Sequence, residues 1–461
     1  MGSDMCLADS AVGTQGSFVT IFSMWNTLMG TSLLAMPWAV AQAGIILGVA
    51  FILVIAAVNL YTVYLVTKFA EETESKVKVG EVVEFADVCK AYLGRAGEVS
   101  SVFISFLTMV GIVIVHWVLM SNLLYNIVHF VYSYIEGLHT DSYYNVTIHN
   151  DKYIQCTDES LLHRDIQDSI WSNKTSVFTP SGDTDLFHKY WHLKKTVPFF
   201  LLCLLVPLIN FKSPTFFTKF NALGILSAFY LLGFITYKTS RWGFHMNFNQ
   251  VPGHYARASF PTLTGVGAMS FYFQSYILSI MRHQKNPKNN VRDMTIAYIC
   301  VALTYCYVAC VFYCSWPMIS KDCIDQNLLN NLIPGDPLAF VARIFIFLQL
   351  ITVYPLTLYI MRVQLMKVVF GSIWPSWKHV AVMNIGVVGS CLIFARFLPQ
   401  IGTIIRYTGS FGAQSYGFIL PSIVYVKAER KKGTLTFFKV LMHVLLVVVS
   451  FANVVGQFFI K

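Results

Sequence analysis

The sequence predicts an all-α polytopic membrane protein of about eleven transmembrane helices. Three observations carry this: composition, the length of the apolar runs, and the placement of basic residues between them. Of 461 residues, 56% are hydrophobic and 12% are charged, whereas soluble domains carry roughly 25% charged residues. Too little polar surface remains to cover a water-soluble fold of this length; contact with membrane lipid removes that requirement. The net charge of +10 lies in short loops between apolar runs. It forms no basic face and belongs to no nucleic-acid motif, so no nucleic-acid partner is expected and the charge reads as topology-setting.

A hydrocarbon core of about 30 Å needs roughly 20 apolar residues per helix. The runs that meet this are 18–42, 45–68, 101–131, 196–210, 221–239, 263–280, 294–314, 338–361, 380–397, 401–426 and 436–460. Residues 1–17 precede them as a short polar N-terminus. That stretch lacks the basic start and apolar core of a signal peptide. It matches a myristoylation start only loosely, since Cys6 stands where Ser or Thr is required. The rest, 18–461, is one membrane domain: helices 1–5 over 18–239, helices 6–10 over 263–426, and an added helix 11 over 436–460.

Alternate loops are basic. They hold Lys90 and Arg95, then Lys212 and Lys219, then Arg282, Lys285, Lys288 and Arg292, then Arg362 and Lys367, then the cluster from Lys427 to Lys432. The positive-inside rule places these loops and the N-terminus in the cytosol, and Lys461 on the other side. Arg241 and Arg257 on the opposite face weaken the bias without reversing it. The long loop 136–195 is then non-cytosolic. Its two sequons, at Asn145 and Asn173, are expected to be glycosylated. Cys156 in that loop and Cys323 in the loop after helix 7 stand apart from the cysteines in apolar runs. They are the expected disulfide pair in an oxidising compartment, the alternative being two free thiols.

A binding site is expected where helices are interrupted at matching places in two halves. Helix 1 reads Trp25-Asn26-Thr27-Leu28-Met29-Gly30-Thr31-Ser32 before Pro37, and helix 6 reads Pro261-Thr262-Leu263-Thr264-Gly265-Val266-Gly267-Ala268. Each mixes glycine with hydroxyl residues inside an apolar run. Unwinding would expose amides at one half-helix start, suited to a carboxylate. It would expose carbonyls at the other half-helix end, suited to an ammonium or Na⁺. An α-amino acid carries both charges. Equally, Gly30 and Ser32 would serve close helix packing. Asn26 and Thr352 offer two hard oxygens for sodium, although a helical hydroxyl such as Thr352 more often bonds back to the preceding turn. No Asp or Glu falls near the centre of a span, so a carboxylate proton relay is not expected. His116 is the most notable ionisable residue inside a span, either as a proton site or, the favoured reading, hydrogen-bonded to a neighbouring helix. No paired carboxylates, His-x-x-Glu-His or Gly-x-Ser-x-Gly arrangement is present, so an enzyme is not expected. No organic cofactor is expected either.

Several strings resemble the amino acid/auxin permease superfamily, and within it the sodium-coupled neutral amino-acid transporters. They are Thr20-Ile21-Phe22 with Trp25-Asn26-Thr27 and Gly30-Thr31-Ser32, His116 to Asn122, Asn210 to Pro214, Asn289 to Asp293, Ser320 to Cys323, Thr352 to Pro355, and Ile404 to Tyr407. The resemblance implies a LeuT-like 5+5 inverted repeat plus one helix, and secondary active transport by alternating access around an unwound helix 1. It implies substrate contacts along Asn26, Thr27, Leu28, Met29, Gly30, Thr31 and Ser32, and a sodium ion held by Asn26 and Thr352. It is strongest to a lysosomal, arginine-responsive branch. Arginine, leucine or other neutral amino acids are therefore the implied substrates. A lysosomal or late endosomal membrane with a glycosylated luminal loop is the implied location, with the plasma membrane as alternative. That branch also engages the Ragulator and Rag GTPase complex through a long N-terminal arm. Only a short segment precedes the first span here, so that partnership is not expected. Gln274 and Ser275 stand where the pattern has His and Asn, and a shifted substrate preference is expected. A sensor that binds amino acids with little net transport is the alternative function.

Overall fold

The computed structural model describes residues 15–75, 83–135, 147–149, 152–154, 187, 190–210, 221–246, 254–318, 321–372 and 374–460. Asn145, Asn173 and Cys156 lie outside them. Nearly all of the described chain is helical. In order come α1 (Ser17–Leu28), α2 (Ser32–Ala43), α3 (Ile45–Glu74) and α4 (Phe85–Ile135), then a small antiparallel hairpin of β1 (Thr147–His149) and β2 (Lys152–Ile154). There follow α5 (Val197–Ile209), α6 (Asn221–Trp242), α7 (Pro261–Ser270), α8 (Ile277–Met281), α9 (Asn290–Ser315), α10 (Pro337–Phe370) and α11 (Trp377–Phe397). The last stretch is α12 (Ile401–Thr408), two π-helical segments (Gly409–Ala413 and Ser415–Ile419), α13 (Leu420–Lys432) and α14 (Phe437–Gly456).

Each apolar run read from the sequence overlaps a helix. Among the described residues, six helices are individually long and apolar enough to cross a bilayer, and α1 with α2 make a seventh span bent by 58°. The chain is thus a multi-pass membrane protein. α4 starts well before its apolar run: an initial stub from Phe85 is joined to the span through Gly94, whose φ of 76° breaks the helical path.

Lipid offers no hydrophobic drive between helices, so close packing of small residues and interhelical hydrogen bonds hold the bundle. Where α7 crosses the α12 region, a Cβ on Gly409 would sit 2.0 Å from the Gly265 carbonyl oxygen, and one on Gly265 would sit 2.5 Å from that of Arg406. The glycines of helix 6 are therefore packing residues, which corrects the expectation that they mark its break. α9 packs against α1, α2 and α3, while α4 lies along α10 and α10 along α6.

At one end of the bundle the backbone just before α1 is tied to the segment after α8. The Gln15 amide donates to the His283 carbonyl (2.9 Å), the Lys285 amide donates to the Gln15 carbonyl (2.8 Å), and Arg292 donates to the Ser17 hydroxyl (3.0 Å). At the other end, residues 321–336 cover α2. Arg343, fully buried, donates to the Leu329 and Leu332 carbonyls (2.9 and 3.0 Å), and Asn327 donates to Asn122 of α4 (3.3 Å).

Candidate functional site

Regular hydrogen bonding in helix 1 stops at Leu28 and resumes at Ser32. Met29 closes α1 with a bond from its amide to the Trp25 carbonyl (2.9 Å) and has φ −76° and ψ 47°. The Gly30 and Thr31 carbonyls accept from Leu33 and Leu34 at 3.2 Å, in tight three-residue turns. The Gly30 and Thr31 amides make no backbone bond among the described residues. The partial negative charge at the end of α1 and the partial positive charge at the start of α2 thus meet across three residues.

Helix 6 is broken as well, beyond its glycines. α7 ends at Ser270 and α8 begins at Ile277. Side chains of α3 and α4 hold the intervening stretch. Gln274, buried, donates to Asn59 (3.3 Å) and Thr62 (3.2 Å) of α3, and accepts from the Phe273 amide (3.0 Å). It also lies against Gly417, where a Cβ would come 2.8 Å from its Nε2. Ser275 is 2.5 Å from the Tyr272 hydroxyl and 3.2 Å from Ser105 of α4, which in turn donates to Gln364 of α10 (2.7 Å). Gln274 and Ser275 therefore clamp the unwound backbone.

The two breaks converge on α9. The Tyr305 hydroxyl lies 2.5 Å from the Leu28 carbonyl at the end of α1, and 3.2 Å from the Ser270 carbonyl at the end of α7. The Tyr298 hydroxyl donates to the Phe271 carbonyl (3.1 Å), and Trp25 donates to Thr304 (3.2 Å). Tyr305 and Tyr298 are seven residues apart on one helix, which is two turns, so they share a face. Both are buried. Sequence reasoning missed this pair because tyrosines in an apolar run look like ordinary packing or lipid-facing residues. Only the spatial meeting of two helix ends gives them a role.

On another side of the break is a cavity of about 20 Å³, lined by Met29, Gly30, Thr31, Ser227 and Gln349 among others. It has room for one water, not for an amino acid. A Cβ on Gly30 would meet nothing within 4 Å, so Gly30 faces open space and is not a packing glycine. The Thr31 side chain makes no capping bond. Of the other expected contacts, Asn26, Leu28 and Ser32 are buried, with Asn26 against Gly224 of α6. Thr27 is exposed, and its hydroxyl donates back to the Ser23 carbonyl (2.8 Å). The structure thus brings Met29, Gly30 and Thr31 together at the cavity and turns Thr27 away from it.

The Thr352 hydroxyl donates to the Gln349 carbonyl (2.7 Å), the back-bond described above, and leaves its lone pairs able to meet a cation. An amide oxygen and a hydroxyl oxygen are apt donors for a hard monovalent ion, although no hydrogen bond joins Asn26 to Thr352. His116 is buried, and its Nδ1 makes no hydrogen bond among the described residues. This departs from the favoured reading of a bond to a neighbouring helix. Cys323 is 2% exposed.

The chain matches the family described as transmembrane amino acid transporter protein over residues 13–150 and 169–460. It is 40% identical over 453 residues to Neutral amino acid transporter 9 of Rattus norvegicus, an alignment covering 96% of this chain and 79% of the relative. It is 40% identical over 461 residues to the Sodium-coupled neutral amino acid transporter 9 homolog of Caenorhabditis elegans, covering 97% and 74%. A more distant likeness, 19% over 482 residues, is to Amino acid transporter AVT6E of Arabidopsis thaliana, covering 99% and 86%.

Proposed function

We propose, from the premise that the chain belongs to the transmembrane amino acid transporter family, that this amino-acid carrier works by alternating access around the paired breaks in helices 1 and 6. It is a transporter and not an enzyme, as its relatives are. The observation that carries the mechanism is the convergence of two half-helix ends, at Leu28 and Ser270, on one buried point inside the bundle.

In this reading the α-ammonium is drawn to the carbonyl ends of α1 and α7, and the α-carboxylate to the amides of Gly30 and Thr31 at the start of α2. The low dielectric of the interior strengthens both attractions. Met29, Gly30, Thr31 and the adjoining Ser32 line the substrate, with Asn26 and Leu28 supporting the break from α1. The cavity must widen to admit an amino acid, which requires rearrangement of the half-helices, as alternating access supposes. Asn26 and Thr352 would hold a sodium ion, whose positive charge would favour the bound zwitterion. Arginine is the first candidate substrate, with leucine and other neutral amino acids after it. The LeuT-like repeat of 5+5 helices plus one, the lysosomal or late endosomal membrane, the cytosolic N-terminus and luminal C-terminus, the Cys156–Cys323 bridge and glycosylation at Asn145 and Asn173 complete the proposal.

Uptake of radiolabelled amino acids into proteoliposomes, with and without a Na⁺ gradient and a pH gradient, tests it. Saturable flux that rises with inward Na⁺ is the expected result. Binding without flux would overturn the transport reading in favour of a sensor.

A further inference from the structure

We infer that the Tyr305 hydroxyl is a built-in stand-in for the substrate's ammonium group, occupying the shared carbonyl position of the two broken helices until an amino acid displaces it. The inference rests on the substrate site proposed above and adds how that site is kept closed when empty.

The geometry makes the two occupants competitors. One oxygen lies 2.5 Å from the Leu28 carbonyl and 3.2 Å from the Ser270 carbonyl. An ammonium nitrogen that bonds both carbonyls competes with that oxygen for the same two acceptors. Tyr305 is buried with 0% exposure, and its ring stands edge-on to Phe271 at 5.3 Å, so the hydroxyl leaves this point only when the half-helices rearrange.

The chemistry makes the exchange favourable. A phenol has one proton to donate, so it serves only one of the two carbonyls at a time. A primary ammonium has three donors and a full charge. It satisfies both carbonyls and meets the negative ends of two half-helices, where the neutral hydroxyl offers only a dipole. Tyr298 supplies the contrast: its hydroxyl caps the single Phe271 carbonyl and has no second acceptor among the described residues. The arrangement therefore selects for N–H donors. A ligand with the same carboxylate and side chain but no amine, or with a quaternary trimethylammonium in its place, lacks the protons that displace Tyr305.

The test is equilibrium binding in lipid nanodiscs, using radiolabelled arginine and competitors. Three ligands with one side chain are compared: the amino acid, its des-amino acid and its N,N,N-trimethyl derivative. In the wild type, only the primary amine is expected to compete. Equal competition by the trimethyl derivative overturns the inference without any variant. Tyr305→Phe leaves the two carbonyls uncapped in the empty state. Loss of a competing hydrogen bond is expected to tighten binding of the amino acid about three- to tenfold, with the des-amino acid unchanged. Tyr307→Phe, which removes from the exposed side of the same helix a hydroxyl bonded to Thr236 of α6, should leave affinity unchanged. Unaltered affinity in Tyr305→Phe, or weakening shared with Tyr307→Phe, overturns the inference. Thr31→Trp separates this from the underlying site. If that variant binds like the wild type, the site itself is wrong. If it abolishes binding while Tyr305→Phe changes nothing, only the role of Tyr305 falls.

Discussion

Gly224 of α6 has no room for a side chain because the Asn26 amide lies against it: a Cβ there would come 2.4 Å from Oδ1 and 2.8 Å from Nδ2. Asn26 belongs to the last turns of α1, one turn before the break. Gly224→Ala is expected to push the amide aside and to cost about 1–3 kcal/mol of stability, as overpacking does. Transport should fall at least about tenfold if Asn26 holds the ion, since 1.4 kcal/mol is a factor of ten in an equilibrium constant. Thermal unfolding and proteoliposome flux on the same preparation measure both effects. Full flux with an unchanged melting temperature would show that Asn26 is not held in place by this contact.

Thr31 borders the small cavity beside the break. Thr31→Trp should fill that space and the region into which it must widen, abolishing uptake while leaving the folded bundle intact. Size-exclusion elution and melting temperature serve as the folding control. Retained uptake would place the substrate elsewhere.

Gln274 satisfies the Phe273 amide and reaches Asn59 and Thr62. Gln274→Leu keeps the bulk and removes all three bonds. A buried amide left without its acceptor costs about 1–3 kcal/mol, so a clear fall in melting temperature is expected. Flux should fall too, because the second break loses its clamp to α3. Gln274→Glu restores the acceptor and should recover part of the stability. If it recovers none, the Phe273 bond is not the source of the loss.

His254, in the segment between α6 and α7, is buried and 2.8 Å from the Tyr313 hydroxyl. Its pKa is held below the usual value of about 6.5. Burial is the main cause, with Lys321 and then Arg257 adding to it and Asp322 opposing them. The folded state therefore favours neutral imidazole, while the unfolded chain takes up the proton more readily. The sign follows: this stabilisation is complete above the unfolded value and is lost as pH falls through the lower folded one. His254→Gln should narrow the drop in melting temperature between about pH 7.5 and about pH 5. An identical drop in wild type and variant would assign the pH response to other groups.

Cys323 is buried, and the proposed bridge joins it to Cys156. Peptide mapping without reduction should yield a single linked pair containing both residues. Removal of N-glycans should shift the peptides of Asn145 and Asn173. A linked peptide joining Cys323 to another cysteine would refute the pairing.

Much of the fold is legible in the sequence because membrane spans depend on length and apolarity alone, which a linear reading measures directly. The break in helix 1 is legible too. Gly30 and Thr31 sit among apolar residues where a regular helix has no need of them, and Gly30 has open space beside it. The break in helix 6 misleads, since Gly265 and Gly267 look like hinge residues yet serve contacts with the Arg406 backbone and Ile55. The true break carries large side chains, and its irregular backbone is stabilised by Gln274 and Ser275 reaching residues far away in sequence. Tyr305 could not be assigned for the same reason. Its importance lies in two carbonyls that come from different helices.

The tie between Gln15, Ser17 and residues 283–292 yokes the outer limb of the first broken helix to the far limb of the second. The main-chain bonds do not depend on the Gln15 side chain, and at that position only proline, which lacks the amide proton, would delete one of them. If the carrier alternates as proposed, the doorway on that face would swing as one leaf, since a form with only one limb displaced has to break these bonds first.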